Sequence, residues 1–107
     1  MYIQMRYEWD ERKNLANQRK HGGVGFELAT LVFEDPHCLC DLDRVDESGE
    51  QRWHALGAVA VEPGAAVVLL VAHVYRENRD GEETIRIVSA RRAGQHELRR
   101  YKEQAVD

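Results

Sequence analysis

Cysteine is scarce in this 107-residue chain, which holds only Cys38 and Cys40. Two apart on a strand, they point to one face, and a bridge between such near neighbours would be strained. Reduced thiols are expected, in keeping with a cytoplasmic location. Long apolar runs are missing as well. The longest, AAVVLLVA from Ala65 to Ala72, falls far short of the roughly 20 residues that span a bilayer. The first residues, MYIQMRYEWD, lack a signal-peptide profile, so no membrane partner is expected. The sequence also has no glycine-rich phosphate loop, no HExxH, no paired CxxC and no serine nucleophile elbow. His37-Cys38-Leu39-Cys40 offers ligand-type side chains without a second cluster, and buried strand cysteines are the favoured reading over zinc. No cofactor and no metal are expected.

What is present is charge, unevenly spread. The hydrophobic share is 43% and the charged share 32%, as in a soluble globular protein, and the length suits one domain over residues 1–107. Fifteen Lys and Arg stand against 19 Asp and Glu, a formal charge of -4. Yet RIVSARRAGQHELRRYK, residues 86 to 102, holds six basic side chains and one acid. Residues 34 to 50 hold seven acids against Arg44 alone. A uniformly basic nucleic-acid binder is thereby excluded, whereas a local phosphate site is not. Arg86, Arg91, Arg92, Arg99, Arg100 and Lys102 form either one positive face for phosphate or the solvated side of a terminal helix. The acidic stretch reads as a solvated loop or as a docking patch for a basic partner.

Patterning predicts an α+β fold in the order β-α-α-β-β-β-β-α. Tyr2 to Trp9 is a strand. Asp10 caps a helix over Glu11 to Lys20, whose narrow buried stripe is Leu15 and Ala16, and His21-Gly22-Gly23 ends it. A second helix runs from Phe26 to Phe33 and stops at Asp35-Pro36. Strands follow at His37 to Leu42, Gln51 to Val61, Ala66 to Tyr75 and Thr84 to Ala90, with turns at Asp43 to Glu50, Glu62-Pro63-Gly64 and Asp80-Gly81. They form an antiparallel meander with the most apolar strand central. Leu98, Tyr101 and Ala105 give a final helix one apolar edge to lay on it.

Alternation puts Arg52 and His54 on one face of the Gln51 strand, while Val67, Leu69, Val71, His73 and Tyr75 share a face of the next. Arg91 is expected just past the last strand, on the parity of Ile85, Ile87 and Ser89 unless a bulge redirects it. Arg52, His54, His73 and Arg91 are thus candidates to converge near one end of the sheet, although each histidine alone also fits a structural role. This inventory suits metal-free RNA cleavage. The ribose 2′-OH is the nucleophile, so the protein must align it, assist proton transfer and stabilise charge on phosphate oxygens, for which the arginine fork is well shaped.

YEWDERKNLANQRKHG (Tyr7 to Gly22), FELATLVFEDP (Phe26 to Pro36), RWHALG (Arg52 to Gly57) and IRIVSARRA (Ile85 to Ala93) together resemble the BrnT toxins of bacterial type II toxin-antitoxin systems. The resemblance implies a RelE-like fold and a ribonuclease that arrests growth. It also implies neutralisation by a BrnA-like ribbon-helix-helix antitoxin, through which alone DNA would be bound. By position it marks Trp9, Asp10, Lys13, Asn17, Lys20, His21, Gly22, Phe26, Glu27, Ala29, Phe33, Asp35, Pro36, Arg52, Gly57, Arg86, Ser89, Ala90 and Arg91. The catalytic candidates are Arg52, His73, Arg91 and Arg92, then Lys20, His21 and Tyr101. The RNA-binding candidates are Arg86, Arg99, Arg100, Lys102 and His54. One glycine more than the family's usual KHGVSF follows His21, and Gly25 stands where a capping serine is common.

Overall fold

The structure, a computed structural model, describes residues 5–104. Its elements are β1 (Arg6–Glu8), α1 (Glu11–Lys20), α2 (Phe26–Thr30) running into a 3-10 turn (Leu31–Glu34), β2 (Leu39–Val45), β3 (Gln51–Glu62), β4 (Ala65–Glu77), β5 (Glu83–Arg92) and α3 (Gln95–Gln104). The expected order holds. β2 to β5 form the antiparallel meander, but β1 joins beside β5 in parallel, giving a mixed sheet ordered β1-β5-β4-β3-β2. Tyr2 to Gln4 of the expected first strand and Ala105 of the final helix lie outside the described residues. No described helix is long and apolar enough to cross a membrane.

Local chemistry explains most boundaries. Asp10 caps α1 by accepting from Arg12 N at 2.8 Å and Lys13 N at 3.4 Å. The helix ends where Gly22 and Gly23 take φ of 61° and 89°, a region costly to residues with a Cβ. The expected turn from Asp43 is corrected: the strand continues to Val45. The turn starts at Asp46, whose carboxylate gathers Ser48 N at 2.9 Å and Glu50 N at 3.0 Å. The second helix is also shorter than expected, its last turn tightening into the 3-10 form.

The buried stripe of α1 overturns the sequence reading. Leu15 is 46% exposed, while Asn14 and Asn17 are the buried residues. The cause lies at the sheet edge. β1 reaches along β5 only to Arg86, leaving the outward N–H and C=O of Ala90 without a strand partner. Asn17 supplies one. Its Oδ1 accepts from Ala90 N at 3.2 Å, and its Nδ2 donates to Ala90 O at 2.7 Å and Val24 O at 2.8 Å. Asn14 Oδ1 accepts from Phe26 N at 2.8 Å, tying α2 to α1. On the β3 side, β2 begins only opposite Leu56, and Asp35 Oδ2 accepts from the free Ala58 N at 2.7 Å. Two short polar side chains thus finish edges that strands leave open, as buried backbone groups require.

The inner face of the sheet carries the main core. Phe26, Ala29 and Val32 pack on Ala55, Val59, Leu69, Val71, Ile85, Ile87 and Ala90. Gly57 lets Val32 approach so closely that a Cβ there would stand 2.9 Å from Val32 Cγ1 and from Val32 O. The outer face buries Leu56, Leu70 and Val74, and α3 packs against β3 on this side.

Two of the sheet's three register shifts set which candidate site residues face outward. Ala72 pairs with Ser89 but His73 with Ile87, so Val88 is an extra residue in β5. Beyond it Ala90 turns into the core, and Arg91 turns to the outer face. The expected parity of Arg91 with Ile85 and Ile87 is therefore corrected: five residues apart, Arg86 and Arg91 share a face only because Val88 intervenes. The second bulge, at Asp43 in β2, places Arg44 opposite Arg52.

Candidate functional site

β5 runs on through Arg92, so alternation sends Arg91 outward and Arg92 to the inner side. The single positive face expected from residues 86 to 102 is therefore split, and its outer half is threaded with acids. Arg91 Nη1 and Nη2 meet Glu97 Oε1 and Oε2 at 2.7 and 2.8 Å, a fork-to-fork pair. Glu97 Oε1 also accepts from Gly94 N at 2.8 Å, so one carboxylate caps α3 and holds the guanidinium at its start. From there α3 crosses towards β2. Arg100 pairs with Asp41, Tyr101 donates to Asp35, and Gln104 Nε2 donates to His37 O at 2.6 Å. The basic segment and the acidic stretch thus close on each other.

His54 stands half-buried on this face, its Nε2 3.6 Å from Asp43 Oδ2. Arg52 Nε lies 3.5 Å from Asp46 Oδ2 and is buried without a hydrogen-bond partner among the described residues. Arg86 Nη1 sits 3.7 Å from Glu8 Oε1. Arg99 and Lys102 line a shallow groove on α3 with Gln95, Leu98 and Glu103.

Protonation follows this geometry. The hydrogen bonds between Arg91 and Glu97 raise the guanidinium pKa and lower the carboxyl pKa, against a smaller effect of burial on each. Burial lifts the Tyr101 hydroxyl first, and donation to Asp35 lifts it further, to about 12. For Asp35 burial acts upward, but hydrogen bonds from Ala58 N, the Tyr101 hydroxyl and His37 N hold the carboxyl below its usual value. Tyr101 is thus a fixed donor that anchors α3, poorly suited to carrying protons at neutral pH.

The four-way convergence expected from the sequence is corrected at His73. It lies on the inner face, fully buried, edge-on to Phe33 at 4.9 Å and to Tyr75 at 5.1 Å. Its Nδ1 is 3.2 Å from Val71 O and its Nε2 3.7 Å from Cys40 Sγ. Burial lowers its pKa and keeps it neutral. Lys20 and His21 close α1 on the inner layer, across the sheet from Arg91. The structure therefore brings Arg91, His54, Arg52, Arg86, Arg100 and Tyr101 to one side. It leaves His73, Arg92, Lys20 and His21 on the other.

Sequence reasoning missed the acids that organise this side, Glu97, Asp41 and Asp43. The signal for Glu97 was its position as the one acid in the basic run, three residues after Gly94, where a helix-capping carboxylate belongs. Cys38 and Cys40 are both free thiols, and the expectation of buried strand cysteines is corrected: Cys38 is half-buried just ahead of β2 and Cys40 is exposed on it. Among the described residues no three His, Cys, Asp or Glu side chains are grouped to hold a metal ion.

No curated protein matches the chain. The family described as ribonuclease toxin, BrnT, of type II toxin-antitoxin system matches residues 9–97. That span begins at Trp9 and ends at Glu97, taking in the Asp10 cap, Asn17, Asp35 and Gly57, the residues on which the edges and the close approach depend. Family membership implies an RNA substrate and an antitoxin partner. The chain belongs to the BrnT family of ribonuclease toxins of type II toxin-antitoxin systems.

Proposed function

We propose that this chain is an endoribonuclease of the RelE-like kind that cuts RNA without a metal, at the outer face of the sheet. The observation that carries the reading is the Arg91 fork, aimed by Glu97 beside the half-buried His54. A bidentate carboxylate marks a place where a phosphate of similar shape and charge can bind. Substrate phosphate exchanges with Glu97 on Arg91, and Arg52 adds positive charge to the same face. His54 accepts the 2′-OH proton as the oxygen attacks phosphorus. Arg91 stabilises the charge that grows on the phosphoryl oxygens. The bond from phosphorus to the 5′-oxygen breaks, that oxygen takes a proton from water while His54 gives its proton back to solvent, and the products carry a 2′,3′-cyclic phosphate and a 5′-hydroxyl.

Arg86, Arg99, Arg100 and Lys102 guide the RNA backbone across this side. Tyr101 fixes α3, and His73 supports the sheet from beneath. Arg92, Lys20 and His21, on the inner layer, are open to a distal stretch of RNA. Neutralisation falls to a BrnA-like ribbon-helix-helix antitoxin, through which alone the toxin meets DNA.

A second reading, a non-catalytic binding module, is favoured by one observation: Arg52, Arg86, Arg91 and Arg100 each already face a carboxylate. Incubating the purified protein with RNA, with and without EDTA, separates the two. Fragments ending in 2′,3′-cyclic phosphate and unaffected by EDTA are expected. Intact RNA that is nonetheless retained by the protein would favour the module, and metal-dependent cutting would exclude the mechanism.

A further inference from the structure

The helices cover only part of the inner face. Their cover ends at Phe33, whose ring meets Tyr7 at 5.7 Å and His73 at 4.9 Å. Beyond it the apolar surface continues bare. Leu42 on β2 pairs with Trp53, and Val45 pairs with Gln51, both on the inner parity. Trp53 lies against Tyr75 at 5.8 Å. Leu42, Val45, Tyr75 and Met5 are 45%, 55%, 38% and 47% exposed. Such clustering on one stretch of a small protein marks a binding surface, where scattered exposure would not.

The shelf ends at an open strand. β2 is the outermost strand, and every residue after Leu39 in it is exposed. Its outer N–H and C=O groups can receive one further strand. At its two ends stand Glu47 beside Val45 and Glu83 beside Tyr75, while Glu50 and Glu82 there are paired with Arg76 at 3.5 Å and Arg6 at 2.7 Å.

We propose that the antitoxin docks here, laying an extended segment of alternating apolar and Lys or Arg residues along β2, with its apolar side chains on Leu42 and Val45 and the chain beyond that segment crossing the shelf over Trp53 and Tyr75. The choice of occupant rests on charge. A second copy of this chain would bring Glu47 and Glu83 against their own kind, whereas a basic segment is matched by Glu47 at one end of the shelf and Glu83 at the other. The shelf is across the sheet from Arg91, yet β2 carries Asp41 and Asp43, the partners of Arg100 and His54. Fixing β2 therefore holds α3 and His54 in the ion-paired arrangement that excludes phosphate. The inference rests on the toxin reading for its partner, and its test separates the two.

Val45→Asp and the double variant Glu47→Lys/Glu83→Lys are expressed with and without the cognate antitoxin, beside Leu15→Asp as a control on α1. Toxin–antitoxin affinity is then measured calorimetrically on the purified proteins. Both shelf variants should arrest growth in the presence of the antitoxin and bind it at least tenfold more weakly, while the control is neutralised like the parent. Unchanged affinity and neutralisation of both shelf variants would overturn the proposal. A parent dimer in solution that Val45→Asp makes monomeric, with antitoxin affinity retained, would assign the shelf to a second copy and overturn it too. If the parent cuts no RNA and arrests nothing, the ribonuclease reading fails, while weakened antitoxin binding by the shelf variants still supports this surface.

Discussion

Arg91 and Glu97 are joined by two parallel hydrogen bonds of 2.7 and 2.8 Å between the end of the last strand and the first turn of the last helix. The same carboxylate caps that helix through Gly94 N. A guanidinium aimed by a rigid acid is preorganised, and its partner is also a competitor for any incoming phosphate.

Arg91 and Arg92 are expected to separate functionally because they face opposite sides of the sheet. Arg91→Ala should lower kcat/KM for RNA by about 100-fold, the scale seen when one oxyanion donor is removed. Arg92→Ala should leave the cleavage rate nearly unchanged. Glu97→Gln should tighten RNA binding by removing the competing charge, read by fluorescence anisotropy. Equal losses in the two arginine variants would refute the assignment of the outer face.

His73 makes stability depend on pH. Burial holds its folded-state pKa below the usual value of 6.5, so on acidification the unfolded chain takes up the proton first. Its contribution is complete above about pH 6.5 and is lost as pH falls through that value towards the folded pKa. Thermal melts between pH 7.5 and 5.5 should show a falling Tm, and His73→Gln should flatten that slope. An unchanged slope would show that other groups set it.

Asn17 should matter more to stability than any leucine on its helix. Asn17→Ala removes three hydrogen bonds and leaves buried backbone groups of Ala90 and Val24 unpaired, a loss of about 3 kcal/mol. Leu15→Ala should cost under about 0.5 kcal/mol, as expected of an exposed position. Urea denaturation of the two variants checks the ranking.

Gly57→Ala should destabilise the fold by about 1–3 kcal/mol, the usual cost of overpacking. The added methyl would stand 2.9 Å from the Val32 carbonyl oxygen, which belongs to the backbone of the 3-10 turn and has little room to move. A variant with unaltered Tm would mean that the turn slides aside.

Some features were legible because they are local. Asp10 caps α1 through residues two and three places away, and Gly22, Gly64 and Gly81 mark chain reversals by their positive φ. Leu15 misled because a leucine in a polar helix is read as its buried contact. The buried contact was an amide whose partners sit 73 residues along the chain. His73 illustrates a related point. From the sequence its imidazole suits either a reactive or a structural role, and its place under Phe33 is set by packing between strand and helix layer.

The sequence by itself determined the order of elements, the caps and hairpins that bound them, and the family to which they belong, since each depends on neighbours within a few positions. Which side chains share a face was decided only by the tertiary structure. Residues alternate along a strand with a period of two, so the single extra residue at Val88 moves Arg91 from the parity of the core to the side of Arg86 and α3. That bulge is fixed by how β5 fits against β4 and by the Asn17 amide waiting at Ala90, contacts between segments far apart in the chain.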